Sequence, residues 1–145
     1  MRVRSGDTVA TFSFDHIEPG FERAEARFEG LTPPLRTFAA RVFVDEPHPD
    51  AQTPTDGNIH YLGTQNFYGL GVPDVAPDPN DAYKLGRASQ SAPTMVPLNI
   101  TQRFRDYLAQ ATPHAAPITL VAVDRTGAEI PDPGLEIEGF SIVTR

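Results

Sequence analysis

The chain contains no cysteine. That excludes a disulfide framework, a thiolate metal site and a cysteine nucleophile. It also lacks a basic excess, with a net charge of −7 at pH 7. Phosphate contacts need a basic face, so nucleic acid is not an expected partner. Anionic membrane is disfavoured for the same reason. No apolar run approaches the ~20 residues of a membrane-crossing helix. The opening segment, Met1 to Asp7, has no apolar signal core. These absences together lead us to expect a soluble, cytoplasmic protein. Two catalytic signatures are missing as well. There is no Gly-x-Ser-x-Gly elbow for a hydrolase. Gly69-Leu-Gly71 lacks the third glycine and the following helix of a phosphate-cradling loop.

What is present fits one domain. The length of 145 residues suffices for one core and is short for two. A hydrophobic fraction of 39% against 21% charged marks a globular chain rather than a disordered one. The 15 prolines and 11 glycines fall between apolar runs, which suits short strands joined by loops.

Period-two alternation locates the strands. Ala10, Phe12 and Phe14 share one face of an early strand, expected at a sheet edge. Ala24, Ala26 and Phe28 point one way, and Arg23, Glu25, Arg27 and Glu29 point toward a wet face. Residues 30–35 read as a break. Phe38, Ala40, Val42 and Val44 then align, while Phe43 lies opposite, so that strand is covered on both sides. A polar loop over residues 46–58 ends in Asp56-Gly57, a tight-turn pair. Residues 59–68 form an aromatic-rich strand, with Phe67 assigned to the core. Residues 69–92 are irregular, with room for a short strand at Tyr83 to Leu85. Val96, Leu98 and Ile100 point inward, and Pro97 marks an edge strand. Asn99 and Gln102 resemble a capping box. They open a helix to about Gln110 with Ile100, Phe104 and Leu108 as its stripe, ended by Pro113. Residues 118–123 suit a central strand, and residues 124–127 a turn. In residues 135–143 the phase slips at Gly139, which predicts a β-bulge. The expected fold is all-β: a β-sandwich or jelly-roll-like barrel of about seven strands with one short helix.

Candidate chemistry is sparse. His16, His48, His60 and His114 show neither helical i, i+4 pairing nor an HxH pattern. Three or four converging ligands would be needed for zinc or copper. His60 is the best single candidate, because it opens the strand after the long loop. Asp45, Glu46, Asp50, Asp56 and Asn58 concentrate oxygen ligands, but their spacing is not that of a helix-flanked calcium loop. A solvated acidic loop is the simpler account. Asp74, Asp78 and Asp81 have the same standing. Asp124, Glu129, Glu136 and Glu138 sit at strand ends or on wet faces, where acids are ordinary. No catalytic, cofactor-binding or metal-binding residue is assigned. The candidate partner or ligand surface comprises His60, Tyr61, Tyr68, Asp56 and Asn58.

The order of several segments is similar to the C-terminal β-domain of tyrosinases and polyphenol oxidases. The resemblance runs over residues 22–145 and leaves the opening residues outside it. It begins at Ala24 to Leu31 and continues in Phe38-Ala-Ala-Arg-Val-Phe-Val-Asp-Glu-Pro47. His60-Tyr-Leu-Gly-Thr64 follows, leading to Phe67-Tyr-Gly69. Pro97 to Phe104, Ile118 to Val123 and Leu135 to Ile142 complete it. The order is more specific than any one piece. The resemblance implies a non-catalytic accessory domain that packs on a copper oxidase domain, shielding its dicopper site or mediating assembly. The family's six copper-binding histidines come from a helical bundle that this chain lacks. No cofactor is therefore expected here, and copper is implied only in a partner. The expected partner is a tyrosinase-like copper oxidase domain or subunit, with a homo-oligomer as a further option. The chain is then either an excised piece or a separate subunit. The alternative is a carbohydrate- or phenol-binding β-sandwich module using Tyr61 and Tyr68.

Overall fold

Ala24, Ala26 and Phe28 are all fully buried, and the strand that carries them lies in the middle of a sheet. The computed structural model describes residues 1–17, 20–69, 94–112 and 114–145. Its elements run β1 (Arg2–Val3), β2 (Thr8–Ser13), a 3-10 turn (Phe14–His16), β3 (Ala24–Leu31), β4 (Phe38–Val44) and β5 (Tyr61–Phe67). They continue with β6 (Thr94–Asn99), α1 (Thr101–Gln110), β7 (Ala115–Val123), β8 (Leu135–Glu136) and β9 (Gly139–Thr144). Four strands form one sheet in the order β2-β7-β4-β5, and three form another in the order β6-β3-β9. β1 and β8 pair separately. All pairings are antiparallel. The architecture is an all-β sandwich with one short helix. Among the described residues no helix is long and apolar enough to cross a membrane.

The core lies between the two larger sheets. Phe28 on β3 meets Phe67 on β5 edge-on at 5.3 Å, and Phe140 on β9 at 5.1 Å. Val42, Val44, Ile118 and Leu120 supply the facing layer. Burying each such side chain stabilises the fold by roughly 1.5–3 kcal/mol before entropy is counted. β2 and β6 are edge strands and β7 is an interior one, as their patterns predict. α1 sets Phe104 against Phe12 at 5.2 Å and Phe21 at 6.0 Å. Phe43, fully buried, joins Val121 and Val123 in a small second cluster on the outer face of the four-stranded sheet.

Four expectations are corrected. The slip at Gly139 is not a bulge within one strand. β8 pairs with β1, β9 pairs with β3, and the chain changes sheets at Ile137 and Glu138. Glu138 N–H donates to Glu29 C=O at 2.8 Å just past the crossing. The phase reverses because the core lies on different sides of the two strands. Gly30 does not break β3. The strand runs through it to Leu31 with an irregular register. Its φ of +62° brings the backbone under Glu138, whose Cγ would lie 2.3 Å from an added Cβ. The capping box does not form either. Ile100 is the N-cap, and Asn99 Oδ1 accepts from the Thr101 N–H at 3.0 Å. Gln102 instead donates to Asp106 at 3.0 Å. Finally, Glu25 is not on a wet face: its side chain is 6% exposed, beneath three arginines. The expected strand at Tyr83 to Leu85 and the helix stop at Pro113 fall outside the described residues.

Candidate functional site

β5 decides which residues line an open groove beside it. Strict alternation would put Tyr61 on the same face as Phe67, in the core. The register prevents this. Val42 faces Gly63 and Phe43 faces Tyr61, so Leu62 is one residue extra. This β-bulge sends Leu62 inward, where it is 1% exposed. Tyr61 is thereby brought to the outer face beside Thr64, and the two hydroxyls hydrogen-bond. Asn66 lies one pair further along, opposite Ala39, and Tyr68 continues past the strand end with 77% exposure. Across the strand boundary, Arg41 of β4 faces Thr64. Arg125 comes from the turn after β7. These side chains line an open groove of about 680 Å³.

The groove's electrostatics follow from its hydrogen bonds. Arg41 Nη1 donates to the Ala51 carbonyl at 3.1 Å and thereby tethers the 46–58 loop. Asp124 also lines the groove. Its Oδ1 accepts from the Thr126 hydroxyl at 2.6 Å, the Thr126 N–H at 2.8 Å and the Ala128 N–H at 3.1 Å. Those donors hold its pKa below the usual value. On the far side of β5, Arg103 of α1 lies over the Tyr61 ring at 4.7 Å. It lines a second cleft of about 680 Å³ between β5 and β6. Tyr61 and Thr64 form the wall the two spaces share.

A smaller cleft of about 340 Å³ opens elsewhere and gathers Asp45, His60, Tyr107 and His114. Asp45 ends β4 in a left-handed conformation, φ 54°. Its Oδ2 accepts from His114 Nε2 at 2.9 Å. His114 Nδ1 meets the Thr112 carbonyl. Both ring nitrogens face acceptors, so the imidazolium is the form that satisfies both. The Thr112 carbonyl first, and the Asp45 carboxylate second, raise the His114 pKa. Tyr107 is 2% exposed, and its hydroxyl has no hydrogen-bond partner among the described residues. Burial, then the nearby Asp45 charge, pushes the phenol up to about 12. His60 Nδ1 donates to the Val44 carbonyl at 3.0 Å.

The surface expected from the sequence is therefore divided. Tyr61 and Tyr68 share the large groove. His60 belongs to the smaller cleft. Asn58 is a turn residue: its amide donates to Pro54 C=O at 2.8 Å and its Oδ1 accepts from the His60 N–H at 3.0 Å. Asp56 is exposed at the turn next to Gly57, whose φ is 68°. Asp50 caps its own loop, accepting from the Gln52 N–H at 2.8 Å. His48 is exposed in the same loop. Among the described residues no three His, Asp or Glu side chains converge as a metal site requires. Asp74, Asp78 and Asp81 lie outside the described residues. Sequence reasoning missed Arg41, Arg103, Arg125 and Tyr107. Arg41 was legible as the polar position opposite the buried series of β4; the others depend on long-range packing.

Compared with known proteins, the chain matches no protein-family model and no curated protein.

Proposed function

We propose that the chain is a non-catalytic accessory module of a tyrosinase-like copper oxidase, and that it presents the outer face of the four-stranded sheet to the oxidase. The observation that carries this reading is Tyr68. A large aromatic ring is 77% exposed at the rim of an open groove, where a monomer gains nothing from showing it to water. The segments in which the resemblance lies build β3 to β9, so they belong to both layers of the sandwich. Action, in this reading, is steric: the face covers an entrance, with Tyr68 as its most exposed aromatic side chain among the described residues. Copper, in this reading, belongs to the partner. The test adds the purified chain to a copper-loaded tyrosinase catalytic domain and follows both binding and phenol oxidation. Binding with slowed oxidation, relieved in Tyr68→Ala, is the expected result. No association at micromolar concentration sinks the proposal.

A second reading is a carbohydrate- or phenol-binding module. It is favoured by Tyr61, Thr64, Asn66 and Tyr68 lining one groove, which offers ring faces beside hydroxyl and amide groups. Titration with neutral oligosaccharides and simple phenols, followed by tyrosine fluorescence in the absence of any oxidase, separates it from the first. No response to either ligand class removes it.

A further inference from the structure

Several arginines elsewhere on this surface are engaged. Arg2 pairs with Asp132 at 2.9 Å. Arg23, Arg27 and Arg145 converge on Glu25. Arg105 donates to the Phe21 and Glu22 carbonyls. The three arginines around β5 differ. Arg41 has one nitrogen on a backbone carbonyl, Arg103 lies on a tyrosine ring, and Arg125 is exposed. None of the three is in an ion pair with a described residue. The carboxylate on the groove wall, Asp124, already accepts three hydrogen bonds from its own turn.

A chain of net charge −7 thus places three guanidinium groups, none with a carboxylate partner among the described residues, on the two sides of one strand. Each is a planar fork of donors that matches a carboxylate. β5 separates Arg103 from Arg41 and Arg125 and is the edge of its sheet among the described residues, so an extended chain can lie along it. Charge complementarity then selects the occupant.

We infer that this face recognises carboxylates: an extended acidic segment of the oxidase lies along β5, with its carboxylates on Arg41, Arg103 and Arg125 and an apolar side chain against Tyr68. This rests on the accessory-module reading and adds the chemistry of the segment that is bound.

The test titrates the isotope-labelled full chain with an alternating Glu-Ser decapeptide and with its Gln-Ser counterpart. The expected result is amide shifts confined to β4, β5, the first turns of α1 and the 124–127 turn. The Gln peptide binds at least about tenfold more weakly, a loss of roughly 1.4 kcal/mol. Binding weakens between about 0.02 M and about 0.2 M salt, as screening requires. It disappears in the R41Q/R103Q/R125Q variant, whose circular dichroism and melting curve match the parent. Equal binding of both peptides, shifts on another surface, or no shifts overturns the inference. So does tighter binding of polygalacturonate than of the Glu peptide, or self-association that the triple variant abolishes. A parallel arm uses the copper-loaded oxidase domain. If the parent binds it and the triple variant binds it equally, carboxylate recognition falls and the accessory reading stands. If the parent binds the Glu peptide but no oxidase, the accessory reading falls and with it this occupant.

Discussion

On the outer face of the three-stranded sheet, three guanidinium groups close on one carboxylate. On the outer face of the four-stranded sheet and its flank, three guanidinium groups surround two tyrosines. The first set is self-contained. Arg145 reaches Glu25 at 2.7 Å, Arg27 at 3.4 Å and Arg23 at 3.6 Å. Burial alone would raise the Glu25 pKa, but the hydrogen bonds from Arg145 and Arg27 and the charge of Arg23 outweigh it and hold it below the ordinary value. The second set has no such internal partner among the described residues. The difference teaches that an arginine's role is set by what already faces it. A closed set serves the fold, and an open set is free to serve a partner.

The largest expected effect comes from removing what positions part of the open set. Phe104 holds α1, and hence Arg103, against the sandwich through Phe12 and Phe21. Phe104→Ala should cost about 3–5 kcal/mol in urea unfolding and release Arg103 from Tyr61. A loss below about 1 kcal/mol would show that α1 is not anchored this way.

Next comes the closed set itself. Glu25→Gln leaves three arginines around a neutral amide and should lower the melting temperature clearly, whereas Arg125→Gln on the open side should not. Because the folded pKa of Glu25 is depressed, its contribution is present above the unfolded value and is lost as pH falls through the folded one. Parent and variant should therefore converge in acid. Melting curves that stay parallel through that range would remove the network from the account.

His114 supplies a smaller effect of opposite sign. Its folded pKa is raised, so the stabilisation it gives is full below the unfolded value, about 6.5, and is lost as pH rises through the folded value. His114→Asn should lack the decline that the parent shows as pH rises from about 6.5 through the folded value. A variant with the same slope would mean that the Asp45 contact does not act in solution.

The smallest effect sharpens the comparison most. Arg103→Gln and Arg125→Gln, each alone, should change stability by no more than about 0.5 kcal/mol. Calorimetry that finds either as harmful as Glu25→Gln would erase the distinction between the two sets.

Most of the layers were legible. Alternation in residues 24–28 and 38–44 marked the inner faces, and the opposite phase of Phe43 announced the second cluster. What escaped was set by long-range pairing. Nothing near Gly139 says that the chain changes sheets there, because β1 and β3 come from the other end of the sequence. Nothing near Glu25 says that Arg145 lies over it. In the candidate site, Tyr61 and Tyr68 were read as exposed candidates, whereas His60 was grouped with them and sits in a different cleft. One strand's periodicity cannot tell which neighbour a side chain meets.

The extra residue in β5 makes the groove a matter of parity. Tyr61 faces outward because the count between it and Phe67 is off by one at Leu62. Deleting Leu62 would leave Tyr61 opposite Phe43 and Gly63 opposite Val42 in unbroken alternation, so Tyr61 would stay outward while the core lost a leucine. Which face Tyr61 presents is thus set by the bulge as well as by the residue types around it. Flattening the bulge without removing a residue would turn Tyr61 inward and Leu62 outward.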